Sequence, residues 1–172
     1  MGRIEHSVEV NASTSDCYKI WSNFPQFPRF MENVEEVRAV GNNLWHWKVK
    51  GPLGKSAEWD AVCDVMEENR VISWHSVENS EVDNSGHVTF ESVSPGRTRV
   101  TASIAYAPPG GAIGEAVAAL FQNPDQMVQD DLHRFKMLVE GSEYPGGYSS
   151  GPTVESTSGP VGAGVRREGD LS

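Results

Sequence analysis

The chain lacks most of the features that announce a particular chemistry. Of its 172 residues only two are cysteine. Cys17 and Cys63 are far apart in sequence and form no CxxC or zinc-ligand spacing, so they read as buried free thiols of a reducing, cytoplasmic setting. The five histidines, His6, His46, His75, His87 and His133, share no zinc-like spacing either. No GxSxG elbow, P-loop or dinucleotide fingerprint occurs; Gly110, Gly111 and Gly114 are spaced loosely and follow a strand, but PPGG lacks the needed pattern. No metal and no cofactor are expected. Basic residues are scarce, 14 Lys and Arg against 24 Asp and Glu, for a net charge of −10. That balance opposes a nucleic-acid footprint, which needs a basic face, and opposes attraction to anionic lipid. No eighteen-residue apolar run is present, and the opening MGRIEHSVEV lacks the apolar centre of a signal peptide. The expectation is a soluble cytoplasmic protein with no nucleic-acid partner and no stable membrane insertion. Composition leaves its oligomeric state open.

What the chain does have is alternation followed by one long amphipathic segment. Residues 1–140 form one domain, and residues 141–172, rich in Gly, Ser and Pro, read as a disordered tail outside the fold. Ile4, His6, Val8 and Val10 alternate with polar residues in a first half-buried strand. Ser13 opens a short helix with Cys17, Ile20, Trp21 and Phe24 on its buried side, and Pro25 and Pro28 end it in an aromatic turn. Strands are then predicted over Val34–Val40, Leu44–Lys50, Ser56–Met66, Val71–Val77, Gly86–Val93 and Arg97–Ala107, with Glu78–Ser85 as a polar loop. Ala57, Trp59, Ala61, Cys63 and Val65 share one face of the longest strand. After Pro108–Gly111, Ala112–Phe121 reads as a short helix.

The segment Asn123–Glu140 organises the rest. Asn123 suits an N-cap and Pro124 the first turn. Val128, Leu132, Phe135 and Val139 recur at helical spacing as one apolar stripe. Such a helix is only marginally stable alone and needs a surface. The preceding strands supply it. A run of strands followed by helices predicts an α+β fold with helices on one side of an antiparallel sheet.

Polar candidates are few. His46 and His75, with Glu58 between them in sequence, could form a composite metal or acid–base site, though such residues usually decorate the wet face of a sheet. Asp130-Asp131 and Glu67-Glu68 read as solvation of a helix start and a turn. Aromatic residues give the stronger signal, because Trp45, Trp47, Trp59, Trp74 and Phe90 all fall on strands.

Several segments in order, SVEVNAS, WSNFPQFPRFMENVEEV, GPLGKSAEWDA, VISWHS, GHVTFE, GRTRVTASIAYAPPGG and DLHRFKMLVE, resemble the polyketide cyclase/dehydrase group of the START-like superfamily and the related coenzyme Q-binding START proteins. The resemblance implies a helix-grip fold, a seven-stranded antiparallel sheet wrapped around a long C-terminal helix, with a hydrophobic cavity between them. It implies a hydrophobic small-molecule partner such as a quinone, an isoprenoid, a lipid or a polyketide-like compound. Phe27, Phe30, Trp47, Trp59, Trp74, Phe90, Ile104, Tyr106, Phe121, Leu132 and Phe135 are the expected ligand-binding residues. Phe24, Phe27 and Phe30 with Pro108–Phe121 would form the mouth, hinged at its glycines. Aromatase/cyclases of the superfamily place an Arg in the cavity; here Arg38, Arg97 and Arg99 alternate away from it, and no catalytic set can be assigned. The alternative is an aromatase/cyclase or dehydratase, which would require a titratable group facing the cavity.

Overall fold

In the computed structural model, residues 2–51, 54, 56–107 and 123–141 are described. The predicted helix at Ala112–Phe121 with its site residue Phe121, the Pro108–Phe121 mouth with its glycine hinges, and all but the first residue of the tail lie outside them. The elements run β1 (Gly2–Val10), α1 (Thr14–Trp21), a 3-10 helix (Phe24–Arg29), β2 (Val34–Gly41), β3 (Leu44–Lys50), β4 (Ser56–Glu67), β5 (Val71–Ser76), β6 (Asp83–Ser94), β7 (Arg97–Ala107) and α2 (Pro124–Val139). The strands form one seven-stranded sheet in the order β1-β7-β6-β5-β4-β3-β2, and every adjacent pair is antiparallel. The architecture is thus α+β with a helix-grip layout: a meander closed by returning β7 to β1, with α2 against the concave face.

Local chemistry sets the element ends. Ser13 Oγ accepts the Asp16 N–H at 3.1 Å to cap α1, and Asn123 Oδ1 accepts the Gln126 N–H at 3.3 Å to cap α2. Asn43 and Asn69, in the turns after β2 and β4, have φ of 56° and 65°, the left-handed region that Asn tolerates better than most residues. Two strand boundaries differ from the alternation. β6 begins at Asp83, inside the expected polar loop, because Val82 is buried and Asn84 is tied to Ser76 by its N–H. In β4 the register slips between Cys63 and Val65, so a bulge turns Val65 outward to 38% exposure. The single face expected for Ala57 through Val65 ends at Cys63.

The core is aromatic and centred on Trp21. Its ring packs at 4.9 Å from Phe135, 5.4 Å from Phe30 and 6.4 Å from Phe90. α2 is held along both flanks. Toward β1, Lys136 Nζ donates to Glu9 O at 2.9 Å and the Asn11 N–H to Glu140 at 2.7 Å. Toward the segment before β2, Arg134 pairs with Glu32 at 2.9 Å. The helix therefore straps two distant parts of the sheet together.

Candidate ligand cavity

Between the sheet and α2 lies a cavity of about 210 Å³. Alternation explains its walls. Trp45, Trp47 and Val49 of β3, Trp59, Ala61 and Cys63 of β4, Ile72 and Trp74 of β5, and Ala102, Ile104 and Tyr106 of β7 all face it. Met127, Val128, Asp131 and Leu132 come from α2, one turn apart on the same face. The empty space has an identifiable origin, because the middle of the sheet carries small residues, Ala61 and Ala102, where neighbours would otherwise fill it. Gly86 works similarly. It stands opposite Trp74 in the β5–β6 pair, and a Cβ there would lie 2.7 Å from the Trp74 ring and 2.5 Å from Ser103 O. Tyr106 rests in the same way on Gly2, where a Cβ would lie 2.4 Å from its ring. Trp47 and Trp59 are stacked, with rings 6° from parallel and centroids 5.9 Å apart, and extend the aromatic chain from Phe27 into the cavity wall.

Of the expected ligand-binding residues, Phe27, Trp47, Trp59, Trp74, Ile104, Tyr106 and Leu132 line this space. Phe30, Phe90 and Phe135 do not. They are 1%, 4% and 0% exposed and close the packed half of the concave face around Trp21. Phe24 and Phe27, expected at a mouth, are buried at 6% and 3% and form wall. Arg97 and Arg99 pair with Glu9 on the convex face, and Arg38 with Glu36, so among the described residues no Arg lines the cavity.

Asp131 is the one carboxyl among the described lining residues. It is mostly buried, and desolvation pushes its pKa from the ordinary 3.8 up to about 7 despite the opposing Arg134 guanidinium at 3.2 Å and the Glu32 N–H. Asp130 and the Glu32 carboxylate push the same way as burial. The reading of Asp130-Asp131 as helix-start solvation is corrected for Asp131. The signal was present in the sequence, since position 131 falls three after Val128 and four before Phe135, inside the apolar stripe. The other polar groups of the lining are Asn33, whose amide donates to Lys50 O at 3.3 Å, Tyr106, and Asn84, which accepts from Trp74 Nε1 at 3.0 Å. Burial raises the Cys63 thiol, which keeps it protonated and unreactive.

The composite of His46, His75 and Glu58 does not form. His46 lies between Asp60 and Glu58, each at 2.7 Å, and these hydrogen bonds raise its pKa. His75 instead pairs with Asp64 at 2.8 Å. Strand β4 separates the two histidines, and among the described residues no group of three or more His, Cys, Asp or Glu could hold a metal ion.

The sequence model of the family described as "Polyketide cyclase / dehydrase and lipid transport" matches residues 1–140. The chain belongs to this family. An uncharacterised 17.2 kDa protein of Streptomyces lincolnensis is 29% identical over 140 residues, covering 81% of this chain and 91% of that one. Among solved structures, DR_A0006 from Deinococcus radiodurans is 26% identical at a TM-score of 0.66, covering 81% and 98% of the two chains. The Zhui aromatase/cyclase from Streptomyces sp. R1128 is 16% identical at a TM-score of 0.64, covering 81% and 93%; at that identity it shares the fold alone. The polyketide cyclase/dehydrase and lipid transport family is a hydrophobic-ligand fold. No helix among the described residues is long and apolar enough to cross a membrane. Wall residues missing from the expected set include Trp21, Phe24, Met31, Val34, Trp45, Val49 and Asp131, which join strand faces to the 3-10 segment and α2.

Proposed function

We propose that this protein binds a compact hydrophobic small molecule in the cavity between its sheet and α2. The observation that carries the reading is the cavity of about 210 Å³ whose walls are almost wholly apolar and aromatic. A buried apolar cavity of about 150 Å³ is known to stay dry and to take up a benzene-sized guest, so this one suits one or two fused rings or a short branched chain. A polyketide-like ring system, a quinone head or a small isoprenoid unit fits that size. Transfer of the guest's apolar surface supplies the affinity, at about 25 cal/mol per Å² before the costs of ordering.

Purification from the native host followed by mass spectrometry of the denaturing organic extract tests this reading. A stoichiometric compact apolar compound is expected. Trp59→Glu, which puts a charge on the wall, should lose it while the sheet stays folded by circular dichroism. A folded Trp59→Glu protein that keeps the compound would refute this cavity as the site.

A second reading, an aromatase/cyclase or dehydratase, is favoured by one observation, the ionisable Asp131 in the lining. Its carboxyl titrates near neutrality and could exchange a proton with a bound carbonyl compound. Turnover of a poly-β-ketone surrogate by the wild type and its loss in a folded Asp131→Asn variant that still binds the surrogate would favour this reading over simple carriage.

A further inference from the structure

The convex face of the sheet holds a second hollow, of about 230 Å³, and its lining is polar. Strand pairing assembles it. Arg3 of β1 lies level with Ala105 of β7, Ala105 with Ser85 of β6, and Ser85 with His75 of β5. Two residues along, on the same face, Ser103 of β7 lies level with His87 of β6. All six line the hollow. Arg3 stands apart from Arg38, Arg70, Arg97, Arg99 and Arg134, each of which is paired with a carboxylate. Among the described residues it donates only to Ser103 Oγ, at 3.1 Å. That hydroxyl is buried, so it anchors one N–H of the guanidinium and leaves the rest of the fork unspent. Asp64 is the one carboxylate among the described lining residues, and its Oδ2 is taken by His75 Nδ1 at 2.8 Å. His87 has no hydrogen bond or ion pair among the described residues. In a chain with 24 Asp and Glu against 14 Lys and Arg, a guanidinium without a carboxylate is available to an outside anion.

We propose that this hollow binds a phosphate monoester from solution, with the phosphate on Arg3. The guanidinium fork matches two oxygens of a phosphate group. His75, His87 and the Ser85 hydroxyl line the same hollow from β5 and β6. Polar groups thus reach the anion from several strands, which suits a tetrahedral group better than a flat carboxylate. Asp64 sets the orientation of His75. An ionised carboxylate only accepts, so Nδ1 carries the proton and Nε2 is left for the ligand. There it accepts from a P–OH or, once protonated, donates to a phosphate oxygen. The net charge of −10 opposes docking on an anionic bilayer, which favours a free solute over a lipid headgroup. The hollow lies across the sheet from the apolar cavity, and its function does not depend on that of the cavity.

The test titrates phenyl phosphate into the full-length chain at constant ionic strength, read by calorimetry and by the imidazole NMR signals. One saturable site is expected, with the His75 and His87 signals moving and that of His46 on β3 unmoved. Arg3→Gln should weaken binding by about tenfold, the worth of one charge-assisted hydrogen bond. His87→Gln, which leaves β1 intact, should weaken it in the same direction. Arg38→Gln, on the far edge strand, should leave it unchanged. Binding that fails to saturate, or equal affinity in the wild type and both hollow variants, would overturn the inference and leave the apolar cavity's function standing. Capture of the chain by phosphatidic acid vesicles without any binding of phenyl phosphate would also overturn it, by placing the phosphate on a lipid.

Discussion

Replacing Asp131 with asparagine should change how the stability of this protein responds to pH, and by an amount the structure sets. Its carboxyl titrates at about 7 in the folded chain against an ordinary 3.8. A carboxyl raised on folding costs no stability while both states are protonated. It costs progressively more as the unfolded chain ionises from about pH 4 upward, and the full cost is present above the folded value. The difference corresponds to about 4 kcal/mol at about 1.4 kcal/mol per pH unit, a large part of the stability of an ordinary domain. Asparagine keeps the shape and can accept from Arg134 and the Glu32 N–H, but it has no charge to desolvate. The gap in unfolding free energy, variant minus wild type, should therefore widen by about 4 kcal/mol in favour of the variant between about pH 4 and about pH 8. Urea unfolding followed by tryptophan fluorescence reads it directly, and the other titrating groups cancel in the difference. A gap constant within about 1 kcal/mol across that range would show that Asp131 is solvated, and the account of its surroundings would be wrong. A chain that keeps a destabilising acid in an apolar wall is expected to use it.

Three further outcomes follow from the packing and electrostatics. Gly86→Ala should destabilise by about 1–3 kcal/mol, because its Cβ meets Ser103 O at 2.5 Å and the Trp74 ring at 2.7 Å; an unchanged thermal midpoint would contradict this. Phe135→Ala should cost about 3–5 kcal/mol in chemical denaturation, since the ring is fully buried against Trp21 and Phe30, and a loss below about 1 kcal/mol would place it in a yielding environment. His46 should titrate above the ordinary histidine value of 6.5 when followed by NMR, because Asp60 and Glu58 bind its charged form. The stability it lends is complete below that ordinary value and is lost as pH rises through the raised one; a His46 titration at or below 6.5 would refute the bridge.

Much of this fold was legible because the strands alternate cleanly. Trp45, Trp47 and Val49 against His46 and Lys48, and Val100, Ala102, Ile104 and Tyr106 on β7, declare their faces unaided, and the stripe on α2 declares its partner surface. Two kinds of information were not there. Alternation separates inward from outward, but it gives no depth along the concave face. Phe30, Phe90 and Phe135 point the same way as the wall residues and yet fill the packed half. The bulge after Cys63 has no sequence mark, so Val65 was assigned to the wrong face. Asp131 was hidden differently. Beside Asp130, midway along a helix, it resembles surface charge, and only its position within the apolar stripe gives it away.

The two aromatic rings that lie across glycines have a consequence for how such a cavity can be retuned. Trp74 and Tyr106 spend part of their thickness in the gaps above Gly86 and Gly2, sinking toward the sheet and away from a guest. Neither glycine lines the cavity, yet each sets how far a wall ring protrudes. At Gly2 the three atoms nearest a Cβ all belong to the Tyr106 side chain, so that side chain would have to move first. A single methyl group there, on an edge strand, would shrink the room inside. Guest size in this fold can thus be adjusted from positions that no guest ever touches.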